Sequence, residues 1–185
     1  MVSKKTYTAP LALAALLLAP AVQAQEQVVR IGVSSPLSGA NAFAGKDNEN
    51  GVRLAVEELN AKKMVIGGKP VRFELRAEDD QGDPKAGVIV AQKFAAAGVK
   101  YVLGPYNSGV AIPASRVYND NGIVMSTVGT NPKITQSGYK RVFRIVASDT
   151  QAGAAMADYA GSKLGVKNVG VIDDRTAFGQ GIAME

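Results

Sequence analysis

The 185-residue chain contains neither histidine nor cysteine. Serine–histidine and cysteine–histidine nucleophilic sites need these side chains, so both catalytic arrangements are excluded, and the usual zinc ligand sets are missing as well. A chain without cysteine forms no disulfides, so its fold depends on an apolar core. We therefore predict a protein that is not an enzyme and that holds no metal or other cofactor.

Runs of like charge are also absent. The formal net charge is +5, but the basic residues are scattered along the chain. A nucleic-acid-binding surface usually shows a basic patch interleaved with aromatic side chains. The pattern here indicates a solvated surface instead, and we expect no nucleic-acid partner.

The first 24 residues have the composition of a secretory signal peptide. Lys4 and Lys5 precede an apolar run over residues 9–22, and the small residue Ala24 precedes the expected cleavage site. The run is shorter than the roughly 20 residues that a membrane-spanning helix needs. We predict that residues 1–24 are removed and that the mature chain, starting at Gln25, is released into the periplasm. An uncleaved membrane anchor is the alternative.

From residue 28 onward, short apolar runs alternate with amphipathic segments. An aspartate followed by a proline, Asp83 and Pro84, is typical of a helix start. The β-α-β series with short connections predicts an α/β fold, a doubly wound parallel sheet with helices on both faces. The predicted strands cover residues 28–33, 71–75, 99–103, 123–127, 142–146 and 169–172, and the predicted helices cover residues 50–59, 84–97, 109–119 and 150–164.

One acidic cluster lies between residues 78 and 83, formed by Glu78, Asp79, Asp80 and Asp83. As a calcium loop beginning at Asp79, the segment has Pro84 where the motif requires glycine. Helix capping combined with a solvated loop is the favoured interpretation. A dinucleotide-binding turn is not supported either, because the glycines after the first strand have the wrong spacing.

A strand gives way to a helix around Asn107, Ser108 and Gly109. The three residues faintly resemble a nucleophile elbow, but Tyr106 replaces its first glycine and the chain has no histidine base. A helix N-terminus offers free N–H groups that favour an anion, and ligands of open α/β sheets bind beyond the carboxyl ends of the strands. Ser108 therefore either caps its own helix or helps to hold a carboxylate ligand.

An ordered series of short motifs runs through nearly all of the chain after residue 24. The motifs are Pro36-Leu37-Ser38-Gly39, Asn50-Gly51, Asp79-Asp80 with Asp83-Pro84, Gly104 with Ser108, Pro113-Ala114-Ser115, Thr130-Asn131-Pro132, Arg144 with Asp149, and Phe178-Gly179 with Gly181. With this series, the sequence resembles the periplasmic solute-binding proteins of branched-chain amino acid transporters, the leucine/isoleucine/valine-binding type.

The resemblance implies a two-lobed, Venus-flytrap fold that captures a small-molecule ligand, an amino acid or a related carboxylate, and passes it to the permease of an ABC transporter. Residues 25–147 would form lobe I without its last strands, and residues 148–185 would begin a similar lobe II. Chains of this family are almost twice as long, so we expect an N-terminal fragment of a monomeric protein. A ligand-sensing module of a receptor or regulator is the alternative.

The resemblance also implies a set of ligand-binding residues. The hydroxyl and N–H of Ser108 and of Thr130 would hold the ligand α-carboxylate, and the carbonyl near Val128 and Gly129 would receive the α-ammonium group. Phe178 stands where the family usually offers a tyrosine, and Tyr106 and Asn107 complete the set.

Two departures from the family pattern concern the pocket for the ligand side chain. Ala44 stands where an aromatic residue often walls this pocket, with Phe43 beside it, and Asn107 replaces a small residue. These changes imply a roomier or more polar pocket, so larger amino acids, amides and aromatic carboxylates stay open as ligands.

Overall fold

The computed structural model describes residues 25–185, and the predicted signal peptide lies outside the described residues. Six strands form one sheet in the order β2-β3-β1-β4-β5-β6. The strands are β1 (Gln27–Ser35), β2 (Val65–Ile66), β3 (Lys69–Asp79), β4 (Tyr101–Leu103), β5 (Val124–Thr127) and β6 (Val142–Arg144). The helices are α1 (Ala42–Ala61), α2 (Pro84–Ala96), α3 (Ser108–Asp120), α4 (Lys133–Gln136), α5 (Asp149–Asp158) and α6 (Ala177–Met184), and a π-helical turn (Tyr159–Lys163) follows α5.

Parallel pairing dominates the sheet, which confirms the predicted fold class. Strand β1 pairs in parallel with β3 on one side and with β4 on the other, and β5 and β6 extend the sheet beyond β4. The chain order therefore reverses around β1, which is where open α/β sheets bind ligands at the carboxyl ends of the strands. The exception is β2, which joins β3 in an antiparallel hairpin whose turn residues, Gly67 and Gly68, both have positive φ.

The main core lies between the sheet and helices α2 and α3. A row of paired residues on this face, Gly32, Val102, Met125 and Val142, packs beneath the two helices. A Cβ at Gly32 would lie 3.1 Å from the Phe94 ring, so the glycine makes room for this aromatic side chain. Helix α1 packs against β1 and β3. A small cavity between Val52 of α1 and Val33, Leu103 and Ser126 of the sheet marks the opposite face, so helices cover both faces as predicted.

The order of the predicted elements is confirmed as far as α5, although several boundaries differ. Helix α1 begins eight residues before the predicted start at residue 50, and β3 extends beyond the predicted 71–75 at both ends. The segment between β5 and β6, where no helix was predicted, contains the short helix α4. The helix predicted over residues 150–164 is α-helical only to Asp158 and continues as the π-helical turn.

The prediction of a strand over residues 169–172 is wrong. These residues have no regular structure, and the side chain of Ile172 is 98% exposed. A strand forms only against a hydrogen-bonded neighbour. Within residues 25–185 the sheet ends at β6, and no strand lies beside this apolar segment.

None of the helices between residues 25 and 185 combines the length and apolar character needed to cross a bilayer.

Candidate functional site

The carboxyl ends of β1 and β4 meet at a tight turn that leads into α3. Gly104 follows β4 with φ +107°, and its N–H donates to the carbonyl of Ser126 at 2.8 Å. A Cβ at this position would overlap the carbonyl oxygen of Ser34. Only glycine meets both conditions, and this close approach brings the N-terminus of α3 against the end of β1.

Ser108 is the first residue of α3 and is only 2% exposed. Its Oγ accepts hydrogen bonds from the N–H of Thr130 at 3.1 Å and from the N–H of Asn131 at 3.2 Å. The N-cap position belongs to Asn107, whose side chain makes no capping bond. The interpretation of Ser108 as the cap of its own helix is therefore wrong, because its hydroxyl fastens the loop after β5 instead. The hydroxyl proton remains available to a further acceptor.

Two further polar atoms stand beside Ser108 without a partner. Asn107 Oδ1 and Thr130 Oγ1 are buried, and neither has a hydrogen-bond partner within the described part of the chain. Buried polar atoms are paired in the large majority of cases, so such exceptions call for an explanation. We refer to Asn107, Ser108 and Thr130 together as the Ser108 cluster.

The loop that carries Thr130 is held firmly by its neighbours. The Thr127 hydroxyl donates to the carbonyl of Pro105, and the same oxygen accepts from the N–H of Gly129 at 2.9 Å. A Cβ at Gly129 would lie 2.8 Å from the Ile134 side chain and 3.4 Å from the Ser108 Cα. The sequence therefore allows the loop to press against the first residue of α3.

The structure brings together Asn107, Ser108, Gly129 and Thr130. Val128, next to Gly129, also lines a cavity of about 90 Å³ on the α1 face of the sheet. The ring of Phe178, which is 45% exposed, lines a separate, mostly apolar cavity of about 820 Å³ between α5 and α6. Tyr106 is half-buried in the β4–α3 turn.

The acidic cluster organises the neighbouring loops. Asp83 accepts hydrogen bonds from the N–H groups of Lys85 and Ala86 and caps α2, which confirms the predicted helix start. Asp79 Oδ1 accepts from the N–H of Leu37 and from that of Gln81, both at 2.8 Å, and so ties the loop after β1 to the loop after β3. Desolvation by burial opposes ionisation, but hydrogen bonds from the Ser38 hydroxyl and these N–H groups outweigh it, and the pKa of Asp79 is lowered.

Asp80 differs from the predicted solvated loop, because its side chain is fully buried. Its carboxylate accepts from the Ser34 hydroxyl at 2.7 Å and from the N–H of Gly82 at 3.0 Å. Burial raises its pKa, and the hydrogen bond from Ser34 opposes this rise. Residues 25–185 contain no group of three or more side chains that could hold a metal ion. Sequence spacing did not reveal the burial of Asp80, since it depends on Ser34 of another strand.

A profile of the periplasmic binding protein family matches residues 28–184. The chain belongs to the periplasmic binding protein family. This membership confirms the resemblance found in the sequence, and it confirms the prediction of a binding protein rather than an enzyme.

Individual members of this family give the same picture. The chain is 40% identical to Leu/Ile/Val-binding protein homolog 1 of Brucella abortus, over 85% of this chain and 42% of that protein. It is 39% identical to Leu/Ile/Val-binding protein BraC3 of Rhizobium johnstonii, over 97% of this chain and 47% of that protein. The chain therefore spans less than half of the length of these relatives.

A solved family structure matches the fold. The ABC transporter substrate-binding protein from Desulfitobacterium hafniense, crystallised in complex with Leu, aligns with a TM-score of 0.69 and 32% identity. The alignment covers 85% of this chain and 45% of that protein.

Proposed function

We propose that this chain belongs to the solute-binding component of an ABC importer, which captures a branched-chain or related amino acid in the periplasm and delivers it to a membrane permease. The proposal is supported by family membership and by two relatives named as Leu/Ile/Val-binding proteins. It is also supported by the leucine complex of the Desulfitobacterium protein. The signal peptide over residues 1–24 would direct export and would be cleaved from the mature chain.

The Ser108 cluster is the proposed site for the ligand α-carboxylate. The observation that carries this assignment is the buried Thr130 hydroxyl, which has no hydrogen-bond partner among residues 25–185 and lies beside the Ser108 hydroxyl at the N-terminus of α3. Both hydroxyls can donate to a carboxylate, and the first-turn N–H groups of α3 add donors with the favourable end of the helix dipole. The Thr130 N–H is engaged by Ser108 Oγ, so the hydroxyl is the group that Thr130 offers.

The remaining ligand contacts follow from the family resemblance. The carbonyl near Val128 or Gly129 would accept from the ligand α-ammonium group. Phe178 would approach the ligand from a second lobe formed from residues 148–185, while residues 25–147 supply the first lobe. A neutral hydroxyl pair at a helix N-terminus binds a carboxylate without a buried ion pair, and so avoids the desolvation of a second charge.

Asn107 favours a second candidate ligand class. Its Oδ1 is a buried acceptor without a partner in residues 25–185, and it approaches the loop at Gly82. A ligand whose side chain carries an N–H donor, such as a carboxamide, would satisfy this atom. The proposed importer would then prefer a polar amino acid over leucine.

A calorimetric panel on the complete gene product tests the proposal. We expect binding of leucine, isoleucine or valine, or of glutamine if Asn107 selects an amide. Leucinamide, which lacks the carboxylate, should bind at least about tenfold more weakly than leucine, because it loses hydrogen bonds to a charged group. Equal binding of leucine and leucinamide would refute the assignment of the ligand α-carboxylate to the Ser108 cluster. No heat with any amino acid would refute the proposed function.

A further inference from the structure

Asn131 connects the Ser108 cluster to α6, on the far side of the proposed boundary near residue 148. The residue is 5% exposed, and its side-chain Nδ2 donates to the carbonyl of Ala177 at 2.8 Å. Its Oδ1 accepts from the N–H of Lys133 at 3.0 Å, which fixes the orientation of the amide. The side-chain donor therefore points at the first residue of α6.

The backbone of Asn131 is tied to the proposed ligand site. Its N–H donates to Ser108 Oγ, the same oxygen that accepts from the N–H of Thr130. The guanidinium of Arg144 donates to its carbonyl at 3.4 Å. A displacement of Ser108 would therefore also move Asn131, whose side chain contacts α6.

Helix α6 lies close to this amide because its facing residue is glycine. A Cβ at Gly181 would lie 2.5 Å from Asn131 Nδ2 and 3.0 Å from Asp149 Oδ2. At the start of the same helix, the Ala177 side chain lies against Gly109 of α3. Gly109 thus lets the start of α6 approach the first turn of α3, and Gly181 lets the same helix approach Asn131.

We propose that Asn131 is a positioning residue that fastens α6 to the loop bearing Thr130, so that a ligand held at the Ser108 cluster also holds α6 closed over it. This inference rests on the proposed function for its ligand, but not for the contact itself. Because Asn131 contacts both the loop bearing Thr130 and α6, it couples ligand binding at the Ser108 cluster to the closure of α6, and the coupling is reciprocal. Loss of the amide donor should therefore speed ligand dissociation and leave association nearly unchanged.

Two variants of the complete protein test the contact from opposite sides. Asn131→Ser keeps a side-chain oxygen for the Lys133 N–H but is too short to reach Ala177. Gly181→Ala leaves Asn131 intact and pushes α6 away from it. Asn50→Ser on the exposed surface of α1 is the matched control.

Hydrogen–deuterium exchange of residues 177–184 without ligand is the first measurement. Both variants should exchange about three- to tenfold faster than wild type, the effect of losing one neutral hydrogen bond on local opening. The Asn50→Ser control should match wild type. Unchanged exchange in both variants would overturn the proposal whether or not the protein binds amino acids.

Stopped-flow binding of leucine is the second measurement. The dissociation rate should rise about three- to tenfold in Asn131→Ser, with the association rate within about twofold of wild type. Leucine should also slow exchange of residues 177–184 in wild type and do so less in the variant. Faster exchange with unchanged leucine kinetics would overturn the coupling. Faster exchange in a protein that binds no amino acid would instead refute the proposed function and retain the contact.

Discussion

Replacing Thr130 with valine should stabilise the ligand-free protein and weaken ligand binding at the same time. The Thr130 hydroxyl is buried, and it has no hydrogen-bond partner in the described chain. Valine keeps the shape of the side chain and removes the oxygen. The folded protein then no longer buries an unsatisfied hydroxyl, whereas the ligand carboxylate loses a donor.

The two effects have comparable and measurable sizes. An unsatisfied buried polar group costs about 1–3 kcal/mol, so the free energy of unfolding should rise by about 1 kcal/mol or more. For a folded unit of about 150–250 residues, each kcal/mol corresponds to about 2–4 °C in Tm, and a longer chain shifts less. A hydrogen bond to a charged group contributes about 1.5–3 kcal/mol, so affinity for the preferred amino acid should fall roughly ten- to a hundredfold.

Calorimetry on the complete protein measures both quantities, with thermal scans of the ligand-free form and titrations with the preferred amino acid. Thr130→Ser is the matched control, because it retains the hydroxyl and should bind nearly as wild type does. A Thr130→Val protein that binds as tightly as wild type would refute the carboxylate assignment. A lower Tm would show that the hydroxyl has a structural partner.

Ser108→Ala separates these effects less well. The Ser108 hydroxyl accepts from two backbone N–H groups, those of Thr130 and Asn131. Removing it leaves both donors without their acceptor, so stability falls even if the hydroxyl never touches a ligand. The substitution is therefore informative only beside Thr130→Val.

Three further outcomes follow from the sequence and the structure. Gly104→Ala combines backbone strain with a steric overlap and should lower the free energy of unfolding by about 2–6 kcal/mol, measured by urea denaturation. Gly51→Ala, in the middle of α1 with open space around it, should be neutral or stabilising. Equal effects of the two changes would contradict the close approach of Gly104 to the Ser34 carbonyl. Asp79 has a lowered pKa in the folded protein. Its contribution to the free energy of unfolding is therefore present at neutral pH and is lost as the pH falls through that pKa. The difference in unfolding free energy between wild type and Asp79→Asn should accordingly shrink on acidification, and a difference independent of pH would argue against it. N-terminal sequencing of periplasmic material should begin at Gln25, and recovery of the intact N-terminus in the membrane fraction would rule out cleavage.

Much of the fold could be predicted from the sequence because it depends on residues that are near one another along the chain. Asp83 caps α2 by accepting hydrogen bonds from N–H groups two and three positions away, and Pro84 is the first helical residue. The paired glycines at 67 and 68 form their turn locally. The order of strands and helices follows from periodicity within short windows, and the family motifs added the location of the candidate site.

The decisive features of the site depend on residues that only the fold brings together. The Ser108 hydroxyl meets the N–H of Thr130 across 22 residues, and Asp80 meets Ser34 across 46. Local pattern suggested a helix cap and a solvated loop at these positions, and the structure replaced both with buried contacts between segments. The apolar residues 169–172 show the converse, since a strand-like composition forms no strand without a neighbour. Periodicity and capping are properties of one segment, whereas a hydrogen-bond partner or a neighbouring strand is supplied by another segment, and its position is decided only when the sheet assembles.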